Sequence, residues 1–116
     1  MWPPDLLVFY HSDGNFTRLV PDLIDIGVNV INPVQPDCMD AAALKRKFGD
    51  SLALWGTVGT AALWDRGSPD EIREEARERI AALGKGGGLL IAPAYDVDFT
   101  PFENLVAFFE AVDEYA

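Results

Sequence analysis

Cysteine and histidine each occur only once in the 116 residues, at Cys38 and His11. A lone thiol cannot close an internal disulfide, so the composition favours a reducing, cytoplasmic setting. Basic side chains are scarce as well: 9 lysines and arginines stand against 19 aspartates and glutamates, for a net charge of −10. That imbalance repels phosphate backbones and anionic lipid surfaces, which argues against nucleic acid and membrane as partners. No apolar run reaches the roughly 18 residues that span a bilayer, and the start at Met1-Trp2-Pro3-Pro4 lacks the basic flank of a signal peptide. The expectation is a soluble intracellular protein.

What is abundant is apolar: 49% of the residues are hydrophobic, enough for one domain with a core of its own. The length falls well short of the roughly 250 residues of a complete eight-unit α/β barrel. Four apolar runs stand out, Leu6 to Tyr10, Val28 to Ile31, Leu52 to Trp55 and Leu89 to Ala92. Each leads directly into a polar or turn-forming segment, of which His11-Ser12-Asp13-Gly14-Asn15 is the richest in chemistry. In α/β folds the carboxyl ends of the strands are where ligands bind.

Helical periodicity and helix punctuation fill the gaps, giving the order β-α-β-α-β-α-β-α. A first helix begins near Val20, since Pro21 is tolerated only in a first turn, and Gly27 stops it. Its apolar face is Leu19, Val20, Leu23, Ile24 and Ile26. A second helix runs from Ala41 to Phe48 behind Asp40 as N-cap, with Leu44 and Phe48 inward and Gly49 after it. Ser68-Pro69-Asp70-Glu71 forms a capping box for a third, with Ile72, Ala76, Ile80 and Leu83 inward. Thr100-Pro101-Phe102-Glu103 repeats that logic for a last helix with Phe102, Leu105, Val106, Phe109 and Val112 inward. The strand starts lie 22, 24 and 37 residues apart, long enough for right-handed crossovers between parallel neighbours.

Parallel pairing gathers the polar strand ends on one rim: His11, Asp13, Asn15, Asn32, Gln35, Cys38, Thr57, Thr60, Tyr95, Asp96 and Asp98. Gly27, Gly49 and Gly84 to Gly88 feed the opposite rim. His11 and Asp13 could form an acid–base pair or two metal ligands with Cys38 as a third. Equally, His11 could satisfy backbone groups at a strand end, and Cys38 could serve as a small apolar residue. Asn32, Gln35, Thr57 and Thr60 can orient a carboxylate or amide by hydrogen bonding, or serve turns beside their prolines and glycines. Gly84-Lys85-Gly86-Gly87-Gly88 lacks the Ser or Thr of a phosphate loop and precedes a strand, so it reads as a turn.

Longer stretches resemble the carboxyl-terminal part of the uroporphyrinogen decarboxylase (URO-D) family. They are His11 to Asn15, Pro21 to Asn29, Asn32-Pro33-Val34-Gln35-Pro36-Asp37-Cys38-Met39-Asp40, Leu44 to Asp50, Trp55-Gly56-Thr57-Val58-Gly59-Thr60, Gly67 to Glu71, and Gly87 to Pro93 with Glu103-Asn104. The resemblance implies half of a (β/α)8 barrel over residues 1–116, strands five to eight, with the site on the carboxyl rim. It also implies one of two chemistries: cofactor-free decarboxylation of a porphyrinogen, or zinc-dependent methyl transfer between a corrinoid protein and a thiol.

Two departures bear on that choice. The methyltransferases use a His-x-Cys zinc pair where this chain has His11-Ser12-Asp13, and many members carry a histidine where it has Ala94-Tyr95-Asp96. The degraded pair favours a decarboxylase-like protein over the methyltransferase-like alternative. His11 is then proton donor or metal ligand and Asp13 its partner, with Asn15, Asn32, Gln35, Thr57 and Tyr95 on a small-molecule substrate. No cofactor is expected in that reading; zinc on His11, Asp13 and Cys38 belongs to the alternative. The decarboxylases' arginines lie in the amino-terminal half, so the site is incomplete here. The missing half-barrel or a second copy of the chain is the expected partner. Two rivals stay open, a non-catalytic interaction module and a self-sufficient flavodoxin-like layer with helices on both faces.

Overall fold

The computed structural model describes residues 2–116. Its elements run β1 (Phe9–His11), a 3-10 turn (Thr17–Leu19), α1 (Val20–Asp25), β2 (Val30–Val34), α2 (Ala41–Phe48), β3 (Ala53–Val58), α3 (Ala61–Arg66), α4 (Pro69–Leu83), β4 (Leu89–Pro93) and α5 (Phe102–Tyr115). Every pairing is parallel and the spatial order is β1-β2-β3-β4.

Register decides which side chains share a face, because successive residues of a strand point to opposite sides. Tyr10, Ile31, Leu54 and Leu89 lie in one row across the sheet. They pack against Val20 and Leu23 of α1, Leu44 of α2 and Leu83 of α4. A second cluster continues on the same side, where Val58 and Ile91 meet Trp64, Ile72, Ala76, Ala107, Phe108 and Ala111. The other face carries Phe9, Val30, Ala53, Trp55 and Leu90. There Phe9 is 56% and Leu90 44% exposed, and Phe9 meets Trp55 edge-on, ring centres 5.5 Å apart. Helices cover one face and strand order follows chain order, as in a sector of a (β/α)8 barrel; a flavodoxin-like layer needs both faces covered.

Several local expectations hold in detail. Asp40 caps α2 by accepting from Ala43 N at 2.9 Å. Ser68 and Glu71 form the reciprocal capping box of α4, at 3.2 and 2.7 Å. Gly27 follows α1 at φ +99°, a conformation that favours glycine, and a Cβ there would also strike the Trp2 ring at 2.7 Å.

Others are corrected. β1 starts at Phe9, not Leu6: Leu6 N turns back to Pro3 O, and Val8 N is taken by the Asn29 side chain, leaving Leu6 and Leu7 exposed. On α1, Leu19 and Ile26 face outward, and only Val20 and Leu23 are buried. The third crossover holds an additional helix, α3, capped by Thr60 through Leu63 N at 3.2 Å. Its Trp64 is fully buried and donates from Nε1 to Val58 O at 2.8 Å.

The largest correction concerns α5, which buries Asn104, Ala107, Phe108 and Ala111, leaving Phe102 74% and Phe109 66% exposed. Small residues set the phase because α5 lies close against α4, and Phe108 wedges edge-on against Trp64 at 5.5 Å. Asn104 Nδ2 ties the helix down by donating to Trp64 O and Gly67 O at 3.1 and 2.9 Å. Thr100 does not cap α5; its hydroxyl reaches Asp65 at 3.4 Å, and Pro101 takes the cap position. Among the described residues no helix is long and apolar enough to cross a membrane.

Candidate functional site

The carboxyl ends of β1, β2 and β4 enclose a cavity of about 320 Å³ lined by His11, Asp13, Asn32, Pro33, Gln35, Pro93, Ala94, Tyr95 and Asp96. Five of the residues expected at a site therefore meet: His11, Asp13, Asn32, Gln35 and Tyr95. The register pairs His11 with Asn32 across β1 and β2. His11 Nδ1 lies 2.6 Å from Asn32 Oδ1. An amide oxygen only accepts, so Nδ1 carries the proton and Nε2 is left as the reactive nitrogen.

Gln35 is 4% exposed and has both ends occupied. Its Oε1 accepts from Gly14 N at 2.7 Å and its Nε2 donates to Asp13 Oδ1 at 3.4 Å. It staples the His11–Asn15 loop to the end of β2 and orients Asp13. Register makes this reach available: β2 shifts between Ile31 and Val34, so Val34 and Gln35 are both buried.

Tyr95 closes the cavity from the β4 side, donating its hydroxyl to the Asp37 carboxylate. Burial, and then the bond and charge of Asp37, push the Tyr95 phenol well above its ordinary range. The rim set read from the sequence omits Asp37, although its position beside Cys38, just past a strand end, carries the same signal.

The remaining expected residues lie elsewhere. Asn15 Oδ1 accepts from Thr17 N and Thr17 Oγ1, at 3.1 and 2.7 Å, and so shapes the turn before α1. Cys38 lines a neighbouring depression of about 370 Å³ over the start of α2, with Asp37, Asp40 and Arg79, and not the cavity of His11. Among the described residues no three His, Cys, Asp or Glu side chains converge to hold a metal ion, so His11, Asp13 and Cys38 do not form a ligand set.

Thr57 is the unusual member. It is the last residue but one of β3, at φ +78°, a region that β-branched residues avoid, and is fully buried. Its Oγ1 is the buried side-chain oxygen without a hydrogen-bond partner among the described residues. It does not line the His11 cavity.

The uroporphyrinogen decarboxylase (URO-D) family model matches residues 3–115. The methylcobamide:CoM methyltransferase MtaA of Methanosarcina barkeri is 30% identical over 106 residues, 90% of this chain and 30% of that protein. The uroporphyrinogen decarboxylase of Actinobacillus succinogenes is 33% identical over 79 residues, covering 67% of this chain and 22% of its own. Among solved structures, a methyltransferase from Methanosarcina mazei superposes with a TM-score of 0.78 at 26% identity, over 96% of this chain and 32% of that one. The chain thus spans about a third or less of the relatives it matches. With nearly its whole length matched, and its polar strand ends gathered on one rim, the chain belongs to the uroporphyrinogen decarboxylase (URO-D) family.

Proposed function

We propose that the chain supplies the acid–base portion of a cofactor-free, decarboxylase-like barrel site acting on a porphyrinogen or related carboxylate, with His11 as proton donor. The observation that carries this reading is the His11–Asn32 hydrogen bond, which leaves Nε2 as the ring's free nitrogen beside the cavity. In decarboxylation the bond to the carboxylate carbon breaks, carbon dioxide leaves, and the electron pair that remains on the substrate takes up a proton. Imidazolium Nε2 delivers that proton while Asn32 Oδ1 accepts from Nδ1–H before and after, so the ring need not turn. Asp13, oriented by Gln35, stabilises the imidazolium from the same cavity wall.

No lysine or arginine lines the cavity. Cations for a carboxylate substrate therefore come from the barrel strands that these 116 residues do not contain. The chain acts as the carboxyl-terminal half-barrel, and its site is completed by an amino-terminal half or a second copy.

The two Methanosarcina matches support a second reading, methyl transfer between a corrinoid and a thiol. By resemblance that chemistry uses zinc, and the lack of a converging ligand set favours decarboxylation. The test combines the chain with the amino-terminal part of a close relative and assays uroporphyrinogen, then a methyl-corrinoid with a thiol. Decarboxylation that falls about 10²–10⁴-fold in His11→Ala is the expected result. Methyl transfer instead would install the second reading, and a folded, assembled complex inert to both would make the chain a binding module.

A further inference from the structure

We propose that Asp37 is a positioning residue of the candidate site: it fixes the Tyr95 side chain as a wall of the His11 cavity and takes the phenolic proton for itself. The consequence for turnover rests on the decarboxylase-like reading; the geometry does not.

The pair spans the rim. Asp37 lies past the end of β2 and Tyr95 past the end of β4, 58 residues apart in sequence, with β3 between the two strands. Each stands on backbone with little freedom. Cys38 N and Met39 N both donate to Gln35 O, at 3.0 and 2.9 Å, closing a turn around Asp37, and the Met39 side chain is buried. Ala94, the buried neighbour of Tyr95, donates from its N to Val58 O at 3.0 Å. With both backbones tied, the rotamer of the half-buried Tyr95 is the freedom that remains, and its hydroxyl removes it by donating to Asp37 Oδ1.

The carboxylate is not drawn elsewhere. Arg79 lines the same depression as Asp37, but its Nε and Nη2 both donate to Glu75 Oε1, at 3.1 and 3.0 Å. Asp37 makes no salt bridge among the described residues. Its Oδ1 instead receives Tyr95 and, at 3.8 Å, the Cys38 thiol. An exposed aspartate is ordinarily solvated surface, whereas this one gathers two side-chain donors on one oxygen. The bond also crosses a boundary. Tyr95 lines the cavity of about 320 Å³ and Asp37 the depression of about 370 Å³, and neither lines both.

Two consequences follow for a bound substrate. With its hydrogen committed to a carboxylate, the phenol offers only oxygen lone pairs, which leaves proton delivery to His11 Nε2. A wall fixed before the substrate arrives also spares the cost of ordering a free side chain during binding. Loss of Asp37 therefore weakens binding and leaves the chemical step alone.

The experiment compares Asp37→Ala, Asp37→Asn, Tyr95→Phe and the Asp37→Ala/Tyr95→Phe double variant. In the ligand-free protein, proton NMR reads the tie directly: a Tyr95 hydroxyl resonance slow to exchange with water is expected in the parent and in Asp37→Asn, whose amide oxygen still accepts, and is lost in Asp37→Ala. In the assembly with the amino-terminal part of a close relative, assayed with uroporphyrinogen, Asp37→Ala and Tyr95→Phe each raise KM about tenfold, the effect of losing a hydrogen bond to a charged group, with kcat near the parent value. Asp37→Asn recovers most of the parent KM, and the double variant is no worse than either single one, because both remove the same bond. A parent-like KM in Asp37→Ala, multiplying effects in the double variant, or a fall in kcat like that of His11→Ala would overturn the proposal. An assembly that turns over no uroporphyrinogen removes the decarboxylase reading by itself. The hydroxyl resonance then decides for Asp37: its absence from the parent, or its survival in Asp37→Ala, would overturn the positioning role.

Discussion

His11 Nδ1 and Asn32 Oδ1, 2.6 Å apart on neighbouring strands, determine which nitrogen of the only imidazole carries the proton. Replacing Asn32 by Leu keeps the size and removes the acceptor. In the parent chain, nitrogen NMR should show His11 protonated at Nδ1 in the neutral form. Asn32→Leu should give a mixture of both tautomers with little loss of fold stability. A single Nε2–H tautomer in the parent would disprove the assignment.

Gln35 makes two hydrogen bonds from a buried position, to Gly14 N and to Asp13. Each such bond contributes about 0.5–1.5 kcal/mol. Gln35→Leu should therefore lower unfolding stability by about 1–3 kcal/mol and speed amide exchange at Gly14. Chemical denaturation with exchange at that residue measures both. Unchanged exchange at Gly14 would show that the staple is not holding the loop.

The Tyr95 phenol is raised above its ordinary value of 10.0, so the folded state disfavours its ionisation. Stability from this group is complete below pH 10, and is lost as pH climbs above 10 toward the higher folded value. Thermal unfolding between pH 9 and about 11.5 should show the parent losing stability faster than Tyr95→Phe. Parallel curves for the two proteins would contradict the shift.

Thr57 combines a left-handed backbone with a buried hydroxyl that lacks a partner. Such strain costs about 1–3 kcal/mol and the unmet hydroxyl about the same. Glycine removes both, against about 1–2 kcal/mol of lost packing and added chain entropy. Thr57→Gly should raise stability by about 1–2 kcal/mol, and Thr57→Val, which keeps the strain but removes the unmet hydroxyl, should also raise it, by up to about 1–3 kcal/mol. Calorimetry of the pair decides: a glycine variant less stable than the parent would show that the conformation is not strained.

Asn104 is buried where a helix was expected to show an apolar stripe, and its amide holds the carbonyls of Trp64 and Gly67. Asn104→Ala should cost about 1–3 kcal/mol, since it strands two acceptors. Phe109→Ala, five residues further along the same helix but exposed, should change monomer stability by less than about 0.5 kcal/mol. Urea unfolding in dilute solution compares them.

What the sequence made legible was local chemistry. Asp40 and Ser68-Pro69-Asp70-Glu71 announce helix starts because a cap needs only residues a turn away. The polar strand ends of β1, β2 and β4 were legible too, since parallel pairing puts them on one rim without further knowledge. What stayed hidden depended on tertiary partners. The phase of α5 follows from Ala107 and Ala111 approaching α4, which a hydrophobicity ranking passes over in favour of Phe102 and Phe109. Asn15 and Gln35 look alike as polar rim residues, yet one bonds its own turn and the other bridges 21 residues to Gly14. The helix α3 was masked because Thr60 serves equally well as a rim hydroxyl and as a cap.

The strand order β1-β2-β3-β4 has a consequence for how the chain acquires its shape. Among the four described strands each pairs with the one made just before it, so no pairing within this sheet waits for a distant segment. Closure entropy grows only slowly with loop length, by about 0.6 kcal/mol per doubling, and the longer crossover before β4 adds little. Contacts of short sequence separation also favour rapid folding. A nascent chain can therefore lay down β1 to β3 and their helices as it emerges from the ribosome, with β4 and α5 added last to a partly built sheet.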